Sequence, residues 1–167
     1  MKRLTLVRHA KSGWQSSDLS DFDRPLDPRG LRDAPRMAEL LAAENFAPDL
    51  IISSPALRAI TTAEIFASHL GYDPSTIQHK PDIYEAPPQR IAAVIHTTPD
   101  SVNHLAVFGH NPGLQYLAYQ LLYRDEIHSL VTCGVIELNI LCEHWSQVDH
   151  DIAELANYRS PKIFTTP

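Results

Sequence analysis

The chain has 167 residues, 44% of them apolar and 20% charged, a length and balance suited to one compact domain over residues 1–167 with a substantial core, and not to wholesale disorder. The formal net charge is -6, so the molecule as a whole repels nucleic acid and anionic membrane, and any anionic ligand must be held by a local basic cluster. Cys133 and Cys142 are the two cysteines; they show neither a disulfide framework nor a CxxC spacing, and both are expected as reduced, buried thiols.

Lys2 and Arg3 imitate the charged start of a signal peptide, but Arg8, His9 and Lys11 interrupt the apolar region that would have to follow. No run approaches the ~20 apolar residues of a membrane span, and a cytoplasmic location is expected. The stretch RLTLVR (3–8) alternates and predicts a strand that ends in a polar loop, HAKSGWQSSDLSDFDRP. In the next segment Asp27 is the expected N-cap and Pro28 the first helical residue, with Leu31, Ala34, Ala38 and Leu41 along one apolar face. Pro35 inside that pattern predicts a kink or a delayed start.

DLIIS (49–53) reads as a buried strand, with Ser54 and Pro55 as N-cap and first residue of a helix over about 55–70 that stops at Gly71. IQHKPDIYEAPP leads to a helix over 88–97. HLAVFG (104–109) is another buried strand, HNPG a turn, and LQYLAYQLL a helix whose Tyr116, Tyr119 and Leu122 are expected in the core. CGVIELNIL reads as a strand, whereas IAELANYR fits strand or helix. The alternation predicts an α/β three-layer sandwich, a mostly parallel central sheet with helices on both faces. Such sheets bind ligands at the carboxyl ends of their strands.

Chemistry-bearing side chains fall at those ends. The first strand ends at Arg8 and His9, the second at Ser53 and Ser54 with Arg58 in the following helical turn, and the strand 104–109 at Gly109 and His110. Arg58 opposes the helix dipole unless an anion lies between it and the helix N-terminus. Two guanidiniums and an imidazole around a second imidazole suit a phosphoryl group, because each guanidinium can grip two of its oxygens. Neighbouring cations also keep a histidine neutral and able to attack phosphorus. Lys11 and Ser12 are further candidate phosphate donors. Cys142, His144, Asp149, His150 and Asp151 hold metal-capable side chains at a spacing that defines no site, and His69, His79, His96, His104 and His128 are scattered.

LVRHAKS, DRPLDPRG, SSPALRAITTAE and GHNPG, in that order over residues 3–113 and more faintly through TCGVIEL, resemble the histidine phosphatase superfamily, also called phosphoglycerate mutase-like, and most closely its small SixA-type phosphohistidine phosphatases. Ala10 stands where much of the superfamily has Gly; Ala is usual in the SixA-like branch. The resemblance implies a nucleophilic His9 that is transiently phosphorylated, a phosphate pocket of Arg8, Arg58 and His110, and no metal or other cofactor. It also implies a carboxylate general acid from the third unit. Glu85 lies in the right region, ahead of Asp82 and Asp18. Only residues 59–84 separate Arg58 from Glu85, too few for a capping insertion, so an open site is expected. The implied substrate is phosphohistidine on a partner protein. The alternatives are a small-molecule phosphomonoesterase on the same scaffold and a non-catalytic module that binds phosphorylated proteins.

Overall fold

The computed structural model describes residues 1–14, 17–122, 127 and 129–164. Six strands form one sheet: β1 (Lys2–Arg8), β2 (Leu50–Ser53), β3 (Gln78–His79), β4 (His104–Gly109), β5 (Val135–Ile140) and β6 (Ala153–Arg159), in the spatial order β3-β2-β4-β1-β5-β6. The pairs β3–β2, β2–β4 and β4–β1 are parallel, and β5 pairs antiparallel with both β1 and β6. The sheet is therefore mixed. The segment IAELANYR, open between helix and strand on propensity, is the strand β6, fixed by its pairing with β5.

Among the described residues, four α-helices cover the two faces. Alternation along β1 and β4 sends Leu4, Leu6, Leu105 and Val107 to one side, where they pack on α3 (Pro88–His96) and α4 (Gly113–Leu121) through Ile91, Ile95, Leu114 and Leu117. Val7, Ala106 and Phe108 face the other side, against α1 (Pro28–Ala43) and α2 (Leu57–Leu70) through Met37, Leu41, Ala63 and Phe66. This is the expected three-layer arrangement. None of the helices among the described residues is long and apolar enough to cross a membrane.

Local chemistry sets the helix ends. The Asp27 carboxylate accepts from Gly30 N at 2.8 Å, and Pro28 opens α1. The helix runs on through Pro35 without a delayed start. The carbonyl four residues earlier that loses its donor belongs to Leu31, which is exposed and not on the core face; Met37 takes that place instead. At α2 the boundary lies two residues later than expected: Ala56 is the N-cap and carries no side-chain cap, while Ser54 accepts from Ala56 N and reaches His110. Gly71, at φ 70, closes α2 as expected. On α4 Tyr116 faces solvent and Tyr119 is half-buried; the core face is Leu114, Leu117, Ala118 and Leu121, with Leu122 buried beyond it. Cys133 is buried, but Cys142 is only partly so.

Two close contacts tie the loop after β1 to the helices. Thr62 Oγ1 accepts from Ala10 N at 3.0 Å and donates to Arg58 O at 2.7 Å. Gly30 lies so near Lys11 that a Cβ would sit 2.1 Å from the Lys11 carbonyl oxygen. Gly30→Ala must displace that backbone, and we expect a loss of about 1–3 kcal/mol in denaturant unfolding. Unchanged stability would show that the loop has no fixed seat on α1.

Candidate active site

The pairing of β1 with β4 is in register at Arg8 and Gly109, so the residues that follow each strand emerge side by side. His9 N donates to Gly109 O at 3.0 Å, and the His9 and His110 rings lie 5.2 Å apart, centroid to centroid. Because β5 runs the other way, the loop that precedes it reaches the same edge, where Cys133 N donates to both Arg8 O and His9 O. A cavity of about 210 Å³ opens there. All seven residues named from the sequence, Arg8, His9, Lys11, Ser12, Arg58, Glu85 and His110, line it, and Arg24, Asn111 and Thr132 join them. Asp18 and Asp82 are exposed and do not line it. A larger open cleft of about 400 Å³ beside β5 and β6 has the Arg159 guanidinium already paired with Glu44 and Glu137.

His9 is 8% exposed. Its Nδ1 lies 2.7 Å from Ala10 O, and since a carbonyl can only accept, Nδ1 carries the hydrogen and Nε2 the lone pair. Burial first, then the charges of Arg58, Arg8 and Arg24, push the imidazole down to about 4 against the pull of the Ala10 bond. His110 is pushed down to about 3 by burial, His9 and Arg58, and its Nε2 is 2.8 Å from Ser54 Oγ. Both rings are neutral at pH 7.

Arg58 is 1% exposed and bonded on two sides. Nη1 donates to Asp21 O at 2.6 Å, and Nη2 donates to Asp21 Oδ2 at 3.0 Å and to Glu85 Oε1 at 2.9 Å. The anion expected beside Arg58 is thus supplied, in the resting protein, by two of its own carboxylates. Glu85, at φ 50 and with its side chain 53% exposed, belongs to this ion pair. Burial alone would raise the Asp21 carboxyl, but the Tyr84 hydroxyl, Arg58 and Arg24 outweigh it and hold it at about 2. Arg24 also donates through Nη1 to Ser12 Oγ at 3.0 Å, so Ser12 acts first as an acceptor. Lys11 is exposed at the mouth.

Among the described residues, the buried side-chain polar atoms without a partner are Arg8 Nε, Arg58 Nε, His110 Nδ1 and Asn111 Oδ1. All four belong to walls of this one cavity. Buried polar atoms left unmatched are costly, and two guanidinium Nε–H donors beside the His110 ring suit a ligand with several acceptor oxygens. Sequence reasoning missed Asp21, Arg24, Asn111 and Thr132. Arg24 and Asn111 lie inside the quoted DRPL and GHNPG stretches, but nothing in the chain marked Asp21 as the partner of Arg58 across the fold.

The remaining metal-capable residues do not converge here. His144 bonds Asp100, His150 bonds the adjacent Asp149, His96 approaches Val148 O, and His104 is buried against Thr5. His128 lies outside the described residues.

The sequence profile of the histidine phosphatase superfamily (branch 1) matches residues 4–90, more than half of the chain. The chain belongs to the histidine phosphatase superfamily. An uncharacterised protein of Mycobacterium tuberculosis is 31% identical over 93% of this chain and 100% of its own length. Among solved structures, a candidate phosphohistidine phosphatase SixA from Agrobacterium tumefaciens superposes with a TM-score of 0.82 at 26% identity, covering 96% of this chain and 98% of that one. The protein histidine phosphatase SixA in complex with tungstate gives the same TM-score at 21% identity over 97% and 99% of the two chains. The histidine phosphatase fold is therefore SixA-like over nearly its whole length, and superfamily and fold together support a phosphatase.

The electrostatics of His9 give a pH signature. Arg58, Arg8 and Arg24 disfavour its protonated form, and the neutral His110 ring lies beside it. Protonation removes the lone pair, so activity that uses it falls on the acid side, with a midpoint near 4 and not near the ordinary value of 6.5. At pH 5.5 an unperturbed histidine would be about 90% protonated, whereas His9 stays neutral. With p-nitrophenyl phosphate as substrate, kcat/KM, which reports the free enzyme, should hold between pH 7 and pH 5.5; a fall of about tenfold over that range would contradict the lowered His9 value.

Proposed function

We propose that the protein hydrolyses phosphohistidine on a partner protein through a covalent phosphoryl intermediate on His9 Nε2. The observation that carries the proposal is the set of unpartnered atoms Arg8 Nε, Arg58 Nε and His110 Nδ1 around a cavity that also holds a neutral imidazole with its lone pair free. At about 210 Å³ the cavity is below the ~300–1,000 Å³ of sites that enclose a whole small molecule. It suits a phosphoryl group whose bearer stays outside. Tungstate, a tetrahedral oxyanion like phosphate, accompanies the SixA structure cited above, which supports the same reading.

The steps follow from the groups present. The phosphoryl oxygens take donors from Arg8, Arg58 and His110, displacing Glu85 from Arg58. His9 Nε2 attacks phosphorus in line as the bond to the leaving imidazole breaks, and that imidazole departs neutral, carrying the proton already held on its other nitrogen. Water then attacks phospho-His9, the new P–N bond breaks, and inorganic phosphate and neutral His9 are restored. The guanidiniums supply the positive charge that a divalent cation supplies in other phosphoryl transfers, and the proposed reaction uses no metal.

Glu85, released from Arg58, is the proposed proton donor for ester substrates. An alkoxide leaving group depends on such a donor, while an imidazole that is already protonated does not. Glu85→Gln should therefore lower kcat/KM on a sugar phosphate, whose leaving group is an alkoxide, by about 10²-fold or more, and on a phosphohistidine-bearing protein domain by less than about tenfold. In the wild type, kcat/KM should be higher on the phosphohistidine domain than on any of a panel of small esters. The reverse ranking would favour the phosphomonoesterase alternative, and absence of turnover on both would favour a binding module.

A further inference from the structure

His110 has one nitrogen bonded and one buried without a partner, and which of them carries the hydrogen decides what the residue can do. Ser54 answers this. It is fully buried, its backbone N donates to Phe108 O at 2.9 Å, and its hydroxyl oxygen already accepts from Ala56 N at 3.2 Å. The hydroxyl hydrogen has a single acceptor within reach among the described residues, His110 Nε2 at 2.8 Å. The neighbouring Ser53 hydroxyl is spent on Ser54 O.

We propose that Ser54 is a positioning residue that sets the tautomer of His110: its hydroxyl donates to Nε2, so the hydrogen resides on Nδ1 and becomes the donor offered to a phosphoryl oxygen. The opposite tautomer is worse in two places. Nε2–H would donate into the hydroxyl and leave the Ser54 hydrogen buried without an acceptor, and Nδ1 would present a lone pair where an oxyanion is to bind. The same device separates the two histidines by role. His9 gives its hydrogen to Ala10 O and keeps Nε2 free to attack; the lone pair of His110 is taken by Ser54, so His110 can donate but cannot compete as nucleophile. The catalytic half of this statement rests on the phosphoryl-transfer reading above; the tautomer itself does not.

The test is a nitrogen-15 spectrum of the histidine rings in the resting, full-length protein at pH 7, with the His110 signals identified by their loss in His110→Gln. The expected result is a protonated Nδ1 and an unprotonated Nε2. A protonated Nε2 in the wild type overturns the proposal whatever the enzyme's activity, and needs no variant to fold. In Ser54→Ala the population should move toward the Nε2–H tautomer and kcat should fall by about tenfold to a hundredfold, less than the full loss of an oxyanion donor because the useful tautomer persists in part. Ser54→Thr, which keeps the hydroxyl, should restore the wild-type tautomer. If Ser54→Ala changes neither tautomer nor kcat, Ser54 has no such role. A correct tautomer in a protein that turns over no phosphorylated substrate would instead uphold the Ser54 assignment and remove the proposed function.

Discussion

The in-register parallel pairing of β1 with β4 is the constraint on which the site depends. It brings Arg8 level with Gly109, and one residue further along it sets two neutral imidazoles 5.2 Å apart. A slip of one residue would turn every side chain of β1 to the opposite face. The slip is opposed on both sides of the sheet, since Leu4 and Leu6 fill one core and Val7 the other. Packing thus fixes the chemistry: the apolar residues that make the sheet are the ones that hold the two histidines at a common edge.

The second constraint is the buried guanidinium of Arg58. A charge at 1% exposure is stable only when paired, and removal of a single partner of such a charge is strongly destabilising. The resting protein meets this with Asp21 and Glu85 from two different loops. Asp21 serves three donors at once, being 2.5 Å from the Tyr84 hydroxyl and also bonded to Arg24 and Arg58. A dianion arriving in the cavity can compete for Arg58 with the more exposed Glu85 while Asp21 remains as anchor. In the proposed reaction, binding is then an exchange of one anion for another at Arg58, and the guanidinium stays paired with Asp21 throughout.

Much of this was legible in the chain. The α/β order, the strand ends at Arg8, Ser53 and Gly109, and the convergence of Arg8, His9, Arg58 and His110 all follow from apolar periodicity and the strand-end rule, because those signals are local. What was not legible depends on side chains from distant segments. Ser54 reads as an ordinary N-cap from its place before Pro55, yet its hydroxyl is committed to His110, 56 positions along the chain. Asp21 sits in a polar loop among other aspartates, and only the folded chain singles it out as the partner of Arg58. Tyr116 follows helical spacing but falls on the wet side of α4, because the core face runs through Leu114, Leu117, Ala118 and Leu121. Pro35 is tolerated because the carbonyl it leaves without a donor is on the outer side of α1.

The proposed reaction holds a phosphoryl group on His9 Nε2 during turnover. It is tested most directly by rapid acid-free quenching of the protein with a phosphorus-32-labelled substrate, followed by peptide mapping under alkaline conditions. The expected result is label approaching one per chain on the peptide containing His9, stable to alkali, labile to acid and absent from His9→Ala. Steady turnover with no label on that peptide, or with the label on His110, would contradict it.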